Sequence, residues 1–287
     1  MRAHGQAKLG FYPLPLAEAD RLKNWLCFSE QFSALDPCVG DGIAYAHLLP
    51  DAPVRRYGIE IDAYRAEQAR ALGIDTLQAN TIDVRCPPET VSLFYLSPPY
   101  DWESGESNNQ RLELVFLEHA YRWLKSSGVL LFVIPQVRLT KCARLLSEHF
   151  TDLRVLRLTE PFCLQYKQIV VLVTRRKRHS KVSDAVLLDG VRYLEALATK
   201  VDLEPLGDSA EVKYNVPGFE PVVLTNVSIP LDEVEDLLLE SAKYRQAGRV
   251  LLPKINDVRG RPLTPLHGGH VGFALHCRNA QWGIRRR

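Results

Sequence analysis

Leu93-Phe94-Tyr95-Leu96-Ser97-Pro98-Pro99-Tyr100 joins four uncharged residues to a pair of prolines. The uncharged run predicts a short buried strand, and the prolines end it because neither can donate a hydrogen bond to a sheet. They also restrict the backbone around them, so the carbonyls of Ser97 and Pro98 are held as rigid acceptors outside the ladder. Two such acceptors, with the ring of Tyr100 beside them for stacking, suit an amino group attached to an aromatic ring. A plain turn at a strand end explains residues 97–100 equally well when they are taken alone.

The composition is that of a soluble globular protein. The chain has 287 residues, of which 46% are hydrophobic and 24% charged, and no apolar run is long enough to cross a bilayer. The first residues lack the apolar core of a signal peptide, so we expect a cytoplasmic protein. Six cysteines without a Cys-x-x-Cys pair argue against a zinc knuckle and against a disulfide framework. The formal net charge of +2 does not by itself indicate a nucleic-acid partner.

A glycine turn precedes this strand in the chain. Asp36-Pro37-Cys38-Val39-Gly40-Asp41-Gly42 follows a predicted strand at residues 33–35 and precedes a predicted helix at residues 43–49, which is the usual start of an open α/β sheet. Gly40 and Gly42 allow the backbone to approach a ligand closely, and Asp36 places a carboxylate at the strand end. The phosphate-binding pattern Gly-x-Gly-x-x-Gly is absent, and an acidic loop repels phosphates. The loop therefore favours a ligand that carries an ammonium group.

Two further strand ends carry polar residues. The predicted strand at residues 56–62 ends in acidic residues, and Glu60 lies where doubly wound folds bind ribose hydroxyls. We expect Asp62 to cap the helix at residues 63–72 rather than to contact a ligand. A third strand end, at residues 76–83, places Asn80 where it can bond the amino group of adenine, with Asp83 as the second choice.

In this order, the strand ends resemble class I S-adenosylmethionine-dependent methyltransferases of the amino-directed type. The glycine turn resembles the first motif of that class, and Ser97-Pro98-Pro99-Tyr100 resembles the [DNS]-PP-[YFW] motif of enzymes acting on adenine N6, cytosine N4 or a glutamine amide. Lys8-Leu9-Gly10-Phe11-Tyr12-Pro13-Leu14-Pro15 resembles the segment that covers the methionine end of the cofactor in many adenine-N6 enzymes. The match extends from about residue 8 to residue 176, with a motif order similar to the gamma arrangement of DNA amino-methyltransferases.

The resemblance implies a fold, a cofactor and a set of site residues. The fold is α/β, a Rossmann-like seven-stranded sheet with helices on both faces, and the cofactor is S-adenosyl-L-methionine. Catalytic roles fall to Ser97, Pro98, Pro99 and Tyr100, and no metal is implied. The residues implied in cofactor binding are Lys8, Phe11, Tyr12, Pro13, Asp36, Pro37, Gly40, Asp41, Gly42, Glu60, Ile61, Asn80, Thr81 and Ser97.

Two departures from the family pattern bear on the substrate. Ser97 replaces the Asn or Asp most usual in adenine-N6 enzymes and is similar to cytosine-N4 enzymes, and Asn80 stands where many relatives carry Asp. The resemblance implies adenine N6 in DNA first, with cytosine N4, an RNA base or a glutamine amide as alternatives. A non-catalytic subunit that binds cofactor or nucleic acid within a larger complex is an alternative of a different class.

The remaining pattern completes the sheet and adds a tail. Helices are predicted at residues 111–125 and 140–150, and strands at 129–134, 154–158 and 168–174, the last of them antiparallel. The apolar segment 161–166 either lines a pocket for a flipped base or packs the hairpin. We expect the methyltransferase domain at residues 1–179. A small region at residues 180–287 follows, for target recognition or partner binding, with a strand at 222–224 and a helix at 231–244.

Basic and polar segments give candidates for contacts with nucleic acid, for which we expect DNA. They are residues 101–109, Arg138, Lys141, residues 175–178 and residues 285–287. His267 and His270 are not expected to bind a metal, because no Cys, Asp or Glu lies near enough in the sequence to complete a site.

Overall fold

The computed structural model describes residues 13–50, 54–99, 112–177, 182–210, 212–218, 222–228 and 241. The chain divides into two compact units, Met1–Ser228 and Ile229–Arg287, and every described helix and strand belongs to the first. The compact unit therefore extends beyond the boundary predicted at residue 179. The predicted helix at residues 231–244 and the histidines at 267 and 270 lie outside the described residues.

Seven α-helices and eleven strands are present in the described part of the chain. The helices are α1 (Leu16–Asn24), α2 (Ile43–Leu48), α3 (Ala63–Ala71), α4 (Leu112–Ala120), α5 (Leu139–His149), α6 (Pro161–Gln165) and α7 (Asp184–Thr199). The strands are β1 (Leu26–Phe28), β2 (Phe32–Asp36), β3 (Val54–Glu60), β4 (Asp75–Gln78), β5 (Val84–Arg85), β6 (Val91–Leu96), β7 (Leu124–Pro135), β8 (Phe150–Arg157), β9 (Gln168–Arg175), β10 (Tyr214–Val216) and β11 (Thr225–Asn226).

The main sheet has seven strands in the order β4-β3-β2-β6-β7-β9-β8. The first five strands in this order pair in parallel, whereas β9 runs antiparallel to both of its neighbours. The predicted seven-stranded α/β sheet, with its last strand in a hairpin, is therefore confirmed. The parallel strands all end at one edge of the sheet, which we call the carboxyl edge.

Helices cover both faces of the sheet, and the central strands β2 and β6 are therefore buried along their whole length. On one face Phe94, Leu96 and Phe132 join a core with side chains of α4, α5 and α7. On the other face Leu93, Tyr95 and Leu131 pack with side chains of α1, α2, α3 and α6. Successive strand residues therefore point to opposite cores, as strand geometry requires.

Helix α7 was missed by the sequence prediction, which described the chain after residue 178 as irregular. The Ser183 side chain caps this helix, and Leu194, Leu197 and Ala198 bury its inner side. A side chain at Gly190 would place its Cβ only 2.8 Å from Ser147 Oγ on α5, so glycine permits the two helices to pack closely. The predicted tail begins, in fact, with a helix of the main core.

Three other predicted elements differ from the structure. Helix α4 ends at Ala120 instead of residue 125, because Leu124 is fully buried and begins β7 opposite Val91. The apolar segment at 161–166, for which no helix was predicted, contains α6. The strand expected at residues 222–224 lies slightly later, as β11, where it pairs with β5.

Candidate active site

The candidate residues at the strand ends meet at the carboxyl edge. Asp36 ends β2, Glu60 ends β3 and Ser97 directly follows β6. The pairs Asp36 with Gly58 and Leu35 with Phe94 place these three ends side by side. Since β2 and β6 are adjacent but distant in sequence, the order of strands reverses beside Asp36, which is where open α/β sheets bind ligands.

Asp36 is a buried carboxyl group at the centre of this edge. It is 2% exposed, and its Oδ1 accepts a hydrogen bond of 2.9 Å from the Cys38 amide. Burial raises the pKa of Asp36 to about 8, opposed by the hydrogen bond from Cys38 and assisted by the Glu60 carboxylate. No ion pair to Asp36 is formed within the described part of the chain. A ligand with an ammonium group would supply the missing countercharge.

The two glycines of the turn differ in what they do. Both are left-handed, Gly40 with φ of 59° and Gly42 with φ of 78°. A Cβ on Gly42 would lie 2.6 Å from Ile74 Cδ1 and 3.1 Å from Ala69 Cα. Gly42 is therefore also required for packing against α3 and against the residue before β4. Asp41 stabilises the start of α2 by accepting a hydrogen bond of 3.0 Å from the Ile43 amide.

Glu60 connects the glycine turn to the end of β3. Its Oε2 accepts a hydrogen bond of 2.9 Å from the Gly40 amide, and its Oε1 accepts one of 2.9 Å from the Asp62 amide. Arg65 donates to the same Oε1 from Nη2 at 2.9 Å and from Nε at 3.2 Å. Sequence reasoning missed Arg65. The sequence feature that could have revealed this contact is the spacing: Arg65 lies five residues after Glu60, in the first turn of the helix that follows.

The residues after Glu60 and β4 form the neighbouring part of the edge. Asp62 caps α3 through a hydrogen bond of 3.0 Å from the Arg65 amide, as predicted, and Ile61 is exposed beside it. Asn80 is exposed and accepts a hydrogen bond of 3.3 Å from the Ile82 amide at the start of a short 3₁₀ turn. The buried Thr81 hydroxyl donates to the Pro37 carbonyl, which joins this turn to the glycine turn.

The proline motif lies against the glycine turn. Ser97 and Pro99 are half-buried and Pro98 is buried. Burial raises the pKa of the Cys38 thiol, as do the nearby Asp36 and Glu60 carboxylates, whereas a hydrogen bond with the Ser97 backbone lowers it. Cys38 therefore bridges the carboxyl ends of β2 and β6. Pro13 is half-buried before α1, whereas Lys8, Phe11, Tyr12 and Tyr100 lie outside the described residues.

A buried glutamate that the sequence prediction missed holds the loop before α6 in place. Glu18 is fully buried on α1, and its Oε1 accepts hydrogen bonds from the Thr159 amide at 2.5 Å, the Thr159 hydroxyl at 2.9 Å and the Glu160 amide at 2.8 Å. Arg21 lies 3.2 Å from the same oxygen. The signal was the position of Glu18 four residues before Leu22, on the apolar side of the helix. This network fixes α6 beside the carboxyl edge.

The predicted basic contacts do not form one surface. Arg138 Nε lies 3.5 Å from Oε1 of the buried Glu113, so its charge is directed inward, while Lys141 is exposed. Arg175 ends β9, which is antiparallel to β7, so residues 175–177 lie at the edge opposite the carboxyl edge. If these residues contact nucleic acid, they do so away from the candidate active site. Residues 101–109, Arg178 and residues 285–287 lie outside the described part.

Within the described ranges, no cluster of three or more His, Cys, Asp or Glu side chains is arranged to hold a metal ion. Among the same residues, no helix has the length and apolar character required to span a membrane.

Comparisons with known proteins place the chain in a family. No curated protein matches its sequence. Among solved structures, a Listeria monocytogenes protein described as a class I S-adenosylmethionine-dependent methyltransferase is 14% identical, with 63% of this chain and 69% of that chain covered and a TM-score of 0.49. The methyltransferase subunit of a type I restriction-modification system from Streptococcus thermophilus is 18% identical, with 69% and 56% covered and a TM-score of 0.47. The model of the uncharacterised methyltransferase family DUF6094 matches residues 1–218, and the chain therefore belongs to that family.

Proposed function

We propose that the protein transfers a methyl group from S-adenosyl-L-methionine to an exocyclic amino group of a nucleic-acid base, with adenine N6 in DNA as the first candidate. The observation that carries the proposal is the juxtaposition of the buried Asp36 carboxyl with the Ser97-Pro98-Pro99 segment at the carboxyl edge. The first can receive the ammonium group of the cofactor. The second can receive the amine that is methylated.

The residues at the edge fit the cofactor. S-adenosyl-L-methionine carries an ammonium group, a ribose and an adenine, and it supplies a methyl carbon bound to a sulfonium. Asp36 is a buried carboxyl without a cationic partner among the described residues, which is the feature expected of an ammonium site. Glu60, held by the Gly40 amide and by Arg65, would face the ribose hydroxyls. The exposed Ile61 and Asn80 would lie on the adenine side.

The proline segment would prepare the amine. The Pro98 carbonyl and the Ser97 hydroxyl can each accept a hydrogen bond from the amino group, which draws its lone pair out of conjugation with the base. Tyr100 follows directly in the chain and would stack on a base that has left the duplex. The rate enhancement would then come from alignment of the amine with the methyl carbon and from exclusion of water, since the carbon–sulfur bond of the sulfonium breaks to release a neutral thioether that needs no further activation.

Cytosine N4 is the second candidate because of Ser97. A serine hydroxyl provides an acceptor without the charge of aspartate and without the donor of an asparagine amide. The two bases differ in size, so the wall formed by α6 and the loop that Glu18 holds would contribute to the choice.

Transfer of a labelled methyl group tests the proposal. Purified protein is incubated with methyl-labelled cofactor and, separately, with unmethylated DNA, total RNA and a dialysed protein extract. We expect label in DNA, and loss of that label in Ser97→Ala and Tyr100→Ala variants that still bind S-adenosylhomocysteine. Label in protein alone would overturn the nucleic-acid substrate.

A further inference from the structure

Several cationic side chains surround one aromatic ring at the edge of the sheet opposite the candidate active site. Tyr121 and Arg122 follow α4, His149 ends α5, and Arg175 ends β9. Arg176 and Lys177 continue from β9, and the Arg176 amide donates a hydrogen bond of 2.9 Å to the His149 carbonyl. We call the set Tyr121, Arg122, His149, Arg175, Arg176 and Lys177 the Tyr121 cluster.

The cluster is held together by contacts with the Tyr121 ring. The His149 ring stacks on it with centroids 4.5 Å apart and an interplanar angle of 26°. The Arg175 guanidinium carbon lies 4.8 Å from the ring centroid, and that of Arg122 lies 5.5 Å away. Arg122 Nε also donates to the Tyr121 hydroxyl at 3.1 Å. Two guanidinium groups are thus fixed around one ring, which orients their free N–H groups.

The positive charges of the cluster exceed the negative charges that face it. Arg122, Arg175, Arg176 and Lys177 form no ion pair within the described ranges, and the acidic neighbours are Glu89 and Glu148. Glu148 lies 4.0 Å from His149 Nε2 rather than from an arginine. Burial lowers the pKa of Arg175, as does the charge of Arg122, while Glu89 and Tyr121 oppose the change. The cluster thus carries four cationic side chains, and Glu89 and Glu148 are the carboxylates that interact with its Arg175 and His149.

A packing explanation accounts for only part of the cluster. Arg175 is half-buried and donates to the Tyr121 carbonyl, and Arg176 Nη2 lies 3.5 Å from the Ser147 carbonyl near the end of α5. Arg122 and Lys177 are exposed, and neither contacts a carboxylate within the described part. Like charges kept close together without a counterion raise the energy of the folded state, and an anion relieves that cost.

We infer that the Tyr121 cluster binds phosphate groups of a nucleic-acid backbone, at a site separate from the candidate active site. Guanidinium groups match the planar, bidentate geometry of a phosphate, and two of them are already oriented by the ring. The eight residues of β9 separate the two edges by roughly 25 Å. The cluster would therefore hold a segment several base pairs away from the methylated base. The inference rests on the proposed function for the identity of the polyanion.

The salt dependence of DNA binding tests this inference. Binding of a labelled 30-base-pair duplex is followed by fluorescence anisotropy between about 50 and 200 mM salt, for the full chain and for an Arg122→Gln/Lys177→Gln variant. Removal of two phosphate contacts should lower the slope of log K against log salt by about two and weaken binding about tenfold at 50 mM salt. Arg192→Gln is the matched control, because Arg192 is 76% exposed on α7 and pairs with Asp189 at 3.7 Å.

The outcomes separate this inference from the proposed function. A lower slope in the double variant, with unchanged S-adenosylhomocysteine affinity and an unchanged slope in the control, supports the site. An unchanged slope, or an equal loss in the control, overturns it even if the protein methylates DNA. Competition by poly-glutamate as effective as competition by DNA overturns the assignment to phosphate. Failure of methyl transfer alone counts against the proposed function and not against this site.

Discussion

Asp36→Asn removes the ability of the buried side chain to ionise while preserving its shape, so the substitution should affect ligand binding and stability in opposite directions. Asp36 is 2% exposed with a pKa of about 8. The carboxyl must ionise before it can pair with an ammonium group. A pKa of about 8 leaves roughly one carboxyl in ten ionised at pH 7 and roughly one in a hundred at pH 6.

The affinity of the wild type for S-adenosylhomocysteine should therefore rise about tenfold between pH 6 and pH 7. Asp36→Asn should bind about tenfold more weakly than the wild type at pH 7, because the amide cannot form the charge-assisted hydrogen bond, and it should lose the pH dependence. Isothermal titration calorimetry at several pH values measures both effects. Asp75→Asn, at the exposed start of β4, is the control and should leave affinity and pH dependence unchanged.

The same substitution has the opposite effect on the stability of the ligand-free protein. The folded pKa is raised above the usual value of 3.8, so the contribution of Asp36 to stability is fully present below about pH 4 and is lost as the pH rises to about 8. Asp36→Asn lacks this loss. Its free energy of unfolding should therefore exceed that of the wild type by an amount that grows with pH, up to about 5 kcal/mol. Thermal unfolding from pH 5 to pH 8 measures the difference. Two results would refute the reasoning: a wild-type affinity that does not change with pH, or a variant whose stability depends on pH as steeply as that of the wild type.

Three further predictions concern the frame of the site. Gly42→Ala should destabilise the protein by about 1 to 3 kcal/mol more than Gly73→Ala in urea unfolding. Both glycines are left-handed, but only a Cβ on Gly42 would meet Ile74, at 2.6 Å, so equal costs would contradict the packing role. Glu18→Ala should lower the free energy of unfolding by about 3 kcal/mol, because the Thr159 and Glu160 amides and Arg21 lose their buried acceptor. A loss under about 1 kcal/mol in chemical denaturation would contradict this role of Glu18. Truncation after Ser228 should leave a folded chain with unchanged S-adenosylhomocysteine affinity, because every described helix and strand precedes that residue. Truncation after residue 180 should unfold the chain by exposing the surface of α5 that α7 covers, and a circular dichroism spectrum typical of a folded protein would contradict that packing.

The sheet could be predicted from the sequence because its signals are local. The apolar run that forms β6 ends at two prolines, and the run that forms β2 ends at Asp36 and a glycine turn. Each strand of this kind is marked by residues a few positions apart. The parallel order then follows from the alternation of strands and helices, which is why the carboxyl edge and its acidic residues were located correctly.

The parts that were missed depend on contacts between distant residues. Arg65 lies near Glu60 in sequence, but its donation to the carboxylate is decided by the turn between β3 and α3. Glu18 meets Thr159 across 141 positions, which no local pattern reveals. The packing role of Gly42 depends on Ile74, which follows α3 and lies more than thirty positions later in the chain. The position of residues 175–177 at the edge opposite the candidate site follows from the antiparallel direction of β9, which places its last residue toward the start of β7.

Helix α7 was missed for a related reason. Prolines and short apolar runs later in the chain suggested an irregular region, and they obscured a helix that starts at a Ser183 cap and contains no proline. The apolar face of α7 is recognisable only when α5 is available as its partner, since Leu194 and Leu197 are buried but Val186 and Leu188 are exposed.

Mass spectrometry of nucleosides tests the central claim, that the Asp36 and Ser97 ends of the sheet together methylate an amino group of a base. Unmethylated DNA is incubated with the purified protein and S-adenosyl-L-methionine, digested to nucleosides and compared with DNA treated with the Ser97→Ala variant. We predict N6-methyladenine in the wild-type sample, or N4-methylcytosine if the neutral Ser97 acceptor selects the smaller base, and neither in the variant sample. Folded protein that binds S-adenosylhomocysteine but yields no methylated base in DNA or RNA would contradict the claim.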